Sequence, residues 1–148
     1  MDTLTRLTIR QECADLVARY AKAVNDCDPD TFVSLFAEDA TWQRPKADLM
    51  SGHREIREFI TDQLSRERLL QHVNGSVLVD IEDENNATGW NQTTVYRVLG
   101  ARAPLPLTGT IPEMVVEYRD RYKRIGDLWR FAHRDTTVLF IQDGWQPG

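Results

Sequence analysis

Cysteine is scarce in this chain of 148 residues: Cys13 and Cys27 are the only two. Two cysteines cannot build the disulfide framework of a small secreted scaffold. Their places on and just after a helix-like stretch show no metal-ligand spacing, so reduced thiols in a cytoplasmic setting are expected. Histidine is equally thin on the ground. His53, His72 and His133 are dispersed, with no HxH or HExxH arrangement, and no metal site is expected. Long apolar runs are missing: nothing approaches the roughly 18 residues that a membrane-spanning helix needs. The opening MDTLTRLTIRQE also lacks the basic-then-apolar pattern of a secretory signal. Positive charge is in deficit, with a formal net charge of −5 and no Lys/Arg cluster, which argues against nucleic acid and membrane as partners.

What is there suits one globular domain over residues 1–148, with 41% hydrophobic and 28% charged residues. Thr8 and Gln11 read as a capping box. Ile9, Cys13, Leu16, Val17, Tyr20 and Val24 follow at helical spacing, giving a long first helix that ends near Asn25. Asp28-Pro29 reads as an N-cap and first helical position of a short helix with Phe32, Leu35 and Phe36 inside. AEDATWQR is a turn leading into a short strand. Ser51-Gly52 then precede a third helix with Ile56, Phe59, Ile60 and Leu64 on its apolar stripe.

After Arg68 the period changes from helical to alternating. LLQHVNGSVLVDI and ATGWNQTTVYRVL are long strands joined by the turn EDENN, residues 99–112 form an irregular loop, and EMVVEYRDRYKR and LWRFAHRDTTVLFIQ make a second hairpin. Helices first and antiparallel strands after them give an α+β fold, three N-terminal helices packed on a strongly curved, mostly antiparallel sheet with a pocket at its open end.

The stretch LLQHVNGS sets His72 and Asn74 two apart, hence on one face, whereas the apolar positions that follow, Val77, Val79 and Ile81, have the opposite parity. A β-bulge near Gly75 would bring all five to the same side. That face then carries an imidazole and an amide among valines. Tyr20, on the apolar stripe of the first helix, is either a core residue or a hydroxyl donor in the pocket. Tyr118 and Asp120 alternate with Val116 and Tyr122, and Asp120 could pair with Arg134. Trp42, Asn91 and Thr93 complete a mixed apolar and polar lining. Trp90 has the opposite parity and is expected on the outer sheet face, with Thr94 and Tyr96, at an interface between copies of the chain. His53 and His133 are expected at the surface.

The stretches ARYAKAVNDCDPDTFVSLFAEDATW, SGHREIREFI, LLQHVNG and YRDRYKRIGDLWRFAHR, in that order, resemble the SnoaL-like branch of the nuclear transport factor 2-like superfamily. The resemblance implies a cone-shaped, cystatin-like α+β fold with a pocket between helix residues and the concave sheet face. It implies no single activity, since dehydratases, a dehydrochlorinase, isomerases, polyketide cyclases and non-enzymes share the fold. In the dehydratase and dehydrochlorinase members a strand histidine, matched by His72, is the base, and an aspartate at the end of the first helix supports it. The matching residue here is Asn25, which retains the geometry without the charge. Arg134 matches an arginine that stabilises departing negative charge.

The expectation is therefore a cofactor-independent lyase or isomerase, dehydratase-like or polyketide-cyclase-like in its chemistry. His72, Asn25, Tyr20 and Arg134 form the catalytic set, and Trp42, Asn74, Asn91 and Tyr118 the binding set. Asn25 is expected to accept a hydrogen bond from the imidazole. The ligand would be a small apolar, aromatic or polycyclic compound, and the chain a homodimer or homotrimer. The alternative is a ligand-binding or assembly module with the same pocket and no chemistry.

Overall fold

A computed structural model describes residues 1–100 and 104–145. The first helix, α1 (Thr3–Asn25), starts earlier than the Thr8 capping box implies, because Asp2 lies closer to the N-terminus and its carboxylate accepts from the Thr5 amide at 2.8 Å. Such a cap is worth about 1 kcal/mol. Thr8 sits inside the helix and turns its hydroxyl back onto the Leu4 carbonyl at 2.9 Å. The helix stops after Asn25, where Cys27 takes a left-handed φ of 53° and the Asp28 amide reaches back to the Ala23 carbonyl at 2.9 Å. Asp28 then caps α2 (Pro29–Ser34) by accepting from the Thr31 amide.

That second helix is shorter than expected. The Leu35 carbonyl accepts from the Phe131 amide at 2.9 Å, which draws the chain into the sheet, so Phe36 opens β1 (Phe36–Gln43) instead of continuing the helix. A two-residue strand, β2 (Met50–Ser51), pairs with β1 and leads into α3 (Gly52–Ser65), where the Ser51 amide is held by the Glu55 carboxylate at 2.7 Å. The long strands β3 (Arg68–Ile81), β4 (Asn86–Leu99), β5 (Met114–Ile125) and β6 (Leu128–Ile141) follow. Gly126, at φ 61°, makes the tight turn between the last two.

The strands form one six-stranded sheet in the order β2-β1-β6-β5-β4-β3, antiparallel throughout except where β1 runs parallel to β6. α1 lies on β3 and β6, and α3 on β1. Together they enclose a core in which Cys13, Val17, Phe32, Phe36, Ile56 and Phe131 are fully buried. No helix among the described residues is long and apolar enough to cross a membrane.

Two bulges decide which side chains face this core. In β3 the pairing moves from Asn74–Thr93 to Val77–Asn91, so the strand spends one residue more than its partner, and His72, Asn74, Val77, Val79 and Ile81 share the inner side. In β6 the partners step from Tyr122–Phe131 to Arg121–His133, which turns both Phe131 and Arg134 inward. Gly89 in β4 serves the same interior. A Cβ there would stand 2.2 Å from the Tyr122 hydroxyl, so only glycine leaves room for that phenol.

Candidate functional site

The inner sheet face and the ends of α1 and α3 enclose a cavity of about 940 Å³. His72, Tyr20, Trp42 and Tyr118 line it, as their positions in the sequence suggest. Tyr20 is the hub: its ring centroid lies 6.3 Å from His72, 6.3 Å from Trp42 and 5.8 Å from Tyr118, edge-on in each case. Burial raises the pKa of both phenols, and the nearby Arg134 charge works against that rise, so both hydroxyls stay protonated and keep a proton to donate.

His72 keeps part of its surface on the cavity, while its Nδ1 is fully enclosed and meets no hydrogen-bond partner. Burial, reinforced by the Arg134 charge, pushes the imidazole down to about 4, so it is neutral across the physiological range. Asn25 does not touch the ring, contrary to the expectation. Its carboxamide spans the backbone of the same residue, Oδ1 accepting from the His72 amide at 2.7 Å and Nδ2 donating to the His72 carbonyl at 3.2 Å. The end of α1 thus acts as a substitute strand partner for one residue of β3, fixing where His72 stands while leaving its ring electrically alone.

Arg134, Asn91 and Asn74 were also expected in the lining, and none borders the cavity. Arg134 is completely buried and holds Asp120 in a fork, Nε to Oδ1 at 2.8 Å and Nη2 to Oδ2 at 3.0 Å. Burial alone would weaken its protonation, but the carboxylate prevails and raises its pKa. Tyr122 donates to the same carboxylate at 3.1 Å. The guanidinium carbon lies 3.7 Å from the Tyr118 ring centre and 4.1 Å from that of Tyr20, so the cation sits beneath the cavity's aromatic floor. Arg134 Nη2 also donates to Asn91 Oδ1 at 3.3 Å. Asn91 Nδ2 donates to Thr93 Oγ1 at 3.1 Å, Thr93 to Asn74 Oδ1 at 2.8 Å, and Asn74 Nδ2 to the Val17 carbonyl at 3.3 Å. The two amides therefore belong to a polar strut crossing the sheet to α1, because an interior of this polarity must satisfy its own donors.

His53 and His133 are less exposed than expected. His53 Nε2 is 2.7 Å from the Phe36 carbonyl, and His133 Nδ1 is 2.6 Å from the Thr41 hydroxyl. The residues that sequence reasoning missed are the cations of the cavity wall: Arg44, Lys46, Arg66, Arg68 and Arg97. A signal for two of them existed. The alternation that places Asn91 and Thr93 inward continues to Arg97, and that of His72 runs back through Leu70 to Arg68.

The sequence matches the SnoaL-like domain over residues 5–135. No curated protein matches the chain by sequence. Among solved structures, a candidate scytalone dehydratase from Novosphingobium aromaticivorans superposes with a TM-score of 0.85 at 16% identity, over 99% of this chain and 94% of that one. A hexachlorocyclohexane dehydrochlorinase from Novosphingobium barchaimii gives 0.79 at 16% identity, over 99% and 100%. A nuclear transport factor 2-like protein with a cystatin-like fold, also from N. aromaticivorans, gives 0.76 at 22% identity, over 96% and 87%. At these identities the likeness is one of fold, and it is the α+β fold expected from the sequence.

Proposed function

The chain belongs to the SnoaL-like family, and on that premise we propose that it is a lyase or isomerase in which His72 exchanges a proton with a cyclic ligand held in the cavity. One observation carries the reading: an imidazole whose buried Nδ1 has no hydrogen-bond partner, kept neutral by its surroundings, borders a roomy aromatic-lined space. A neutral imidazole can take a proton from carbon or oxygen, and such base catalysis contributes on the order of 10²–10⁴ in rate. Tyr20 and Tyr118 donate hydrogen bonds to the oxygen or leaving group on which negative charge develops. Arg134 assists through them, its charge opposing the burial that would weaken their acidity. Asn25 positions the base by its backbone. Proton transfer of this kind needs no cofactor.

A second reading, a binding module without chemistry, is favoured by the Asn25 geometry, since that side chain leaves the imidazole without a carboxylate to stabilise its charged form. Exchange of the α-protons of 2-tetralone in D₂O, followed by NMR, separates the two. Under the acid/base reading the protein accelerates exchange, His72→Asn abolishes the acceleration, and the rate falls on acidification with a midpoint near 4, the value to which burial and Arg134 bring this imidazole. Bound tetralone whose exchange is no faster than in solvent would establish the binding module instead, and acceleration unchanged in His72→Asn would remove His72 as the base.

A further inference from the structure

The protein carries a formal net charge of −5, yet its cavity wall has the opposite sign. Arg44, Lys46, Arg66, Arg68 and Arg97 line it with one carboxylate, Glu113, while Asp62, outside the lining, pairs with Arg66 at 2.8 Å. Glu113 is already engaged, with Arg97 Nε at 2.6 Å and the Trp145 indole N–H at 2.5 Å. Arg68 is depressed by burial and then by its cationic neighbours Arg97 and Arg66, a sign of positive charge crowded on one side. Arg44 is the most telling of the group. Its guanidinium carbon lies over the Phe59 ring, 4.2 Å from its centre, and no carboxylate among the described residues is within ion-pair distance of it. Phe59 in turn packs edge-on against Trp42 at 5.5 Å, and Trp42 against Tyr20, whose ring also neighbours His72, so a continuous run of rings joins Arg44 to the imidazole.

A half-buried guanidinium over an aromatic ring, with no hydrogen bond or ion pair to another described residue, is a preformed fork for an oxyanion. The walls between it and His72 are aromatic, and the volume of about 940 Å³ suits a multi-ring compound better than a single small ring. We propose that the cavity takes a cyclic or polycyclic carboxylate, with Arg44 binding the carboxylate and the ring system lying on Trp42 and Tyr118 beside His72. The assignment rests on the cavity being the ligand site and narrows its substrate from apolar rings to acidic ones. Positive potential focused in a concave, low-dielectric pocket of an acidic protein also selects against neutral analogues.

Calorimetric titration with 2-naphthoate and its neutral isostere 2-naphthamide tests this without requiring turnover. The expected result is a preference for naphthoate of about tenfold or more, the scale of one well-placed charged hydrogen-bonded contact, which shrinks as salt is added. Arg44→Gln should bring the two affinities together, and Arg44→Lys, which keeps the charge and part of the stem over Phe59, should restore most of the preference. Equal binding of both probes by the unaltered protein, binding of neither, or a preference undiminished in Arg44→Gln would overturn the proposal. His72→Asn should leave the naphthoate preference intact, so loss of proton exchange in that variant speaks only to the chemistry and not to the anion site.

Discussion

Replacing His72 with leucine should make the protein less sensitive to acid. In the native state burial and Arg134 hold this imidazole near 4, whereas in the unfolded chain it returns to its ordinary 6.5. Between those values the unfolded state binds more protons than the folded one, so stability is full above pH ~6.5 and is lost as the pH falls toward 4. At 1.36 kcal/mol per pH unit the gap amounts to about 3 kcal/mol once both states are charged, and to about 2 kcal/mol at pH 5. Because the buried Nδ1 makes no hydrogen bond that leucine would forfeit, the substitution should cost less than about 1.5 kcal/mol near pH 7.5, where the histidine is neutral in either state. Urea unfolding at both pH values measures the difference. Every titratable group other than His72 is common to the two proteins, so the comparison isolates this imidazole. The unaltered protein should lose about 2 kcal/mol more than His72→Leu between pH 7.5 and pH 5. Equal losses would mean that the native imidazole is solvated or charge-compensated, and the account of it as a neutral, enclosed base would fail.

Asn25→Asp should destabilise by about 1–3 kcal/mol in thermal unfolding, since an aspartate oxygen would replace the amide donor that now faces the His72 carbonyl. Arg134→Gln should cost about 3–5 kcal/mol in chemical denaturation by leaving the buried Asp120 carboxylate without its cation, and Arg134→Gln combined with Asp120→Asn should cost well under the sum of the two single changes. On the outer sheet face Trp90 and Thr94 lie opposite the exposed Leu78 and Val73, and we propose self-association through this patch as a dimer or trimer. Sedimentation should show the oligomer at micromolar concentration, and Trp90→Glu should dissociate it, whereas a monomer throughout would remove the idea.

Much of the architecture was legible because it follows from periods and punctuation. Asp28-Pro29 and Ser51-Gly52 mark where α2 and α3 begin, and the parity break across Asn74-Gly75 announces the β3 bulge that puts His72 inside. The β6 bulge left no such mark. FAHRD contains neither glycine nor a change of hydrophobic phase, and only the sheet pairing shows why Phe131 and Arg134 face the same way. The site was half readable for a related reason. Strand parity tells which face a side chain takes, but not how deep it sits under its neighbours. Asn91 and Asn74 therefore had the right side and the wrong depth, while Arg97 and Arg68 had the right parity and were passed over because charged residues are seldom buried. Asn25 was placed at the end of α1, but its bonding to the backbone of His72 instead of the ring follows from how β3 docks against that helix end, which no sequence pattern encodes.

The strut from Arg134 to α1 has a direction. A guanidinium can only donate and a backbone carbonyl can only accept, so a chain that begins at Arg134 and ends at the Val17 carbonyl is polarised along its whole length. Asn91 must turn its oxygen toward the arginine and its nitrogen toward Thr93, Thr93 must send its single proton onward, and Asn74 must repeat the orientation of Asn91. Neither amide can flip without setting donor against donor or acceptor against acceptor at both of its ends. The array behaves as a row of aligned dipoles, and none of its links is a group that titrates near neutral pH. It can fix the spacing between α1 and the strands beneath the cavity without a titrating link, whereas the imidazole of His72 above it takes up a proton as the pH falls toward about 4.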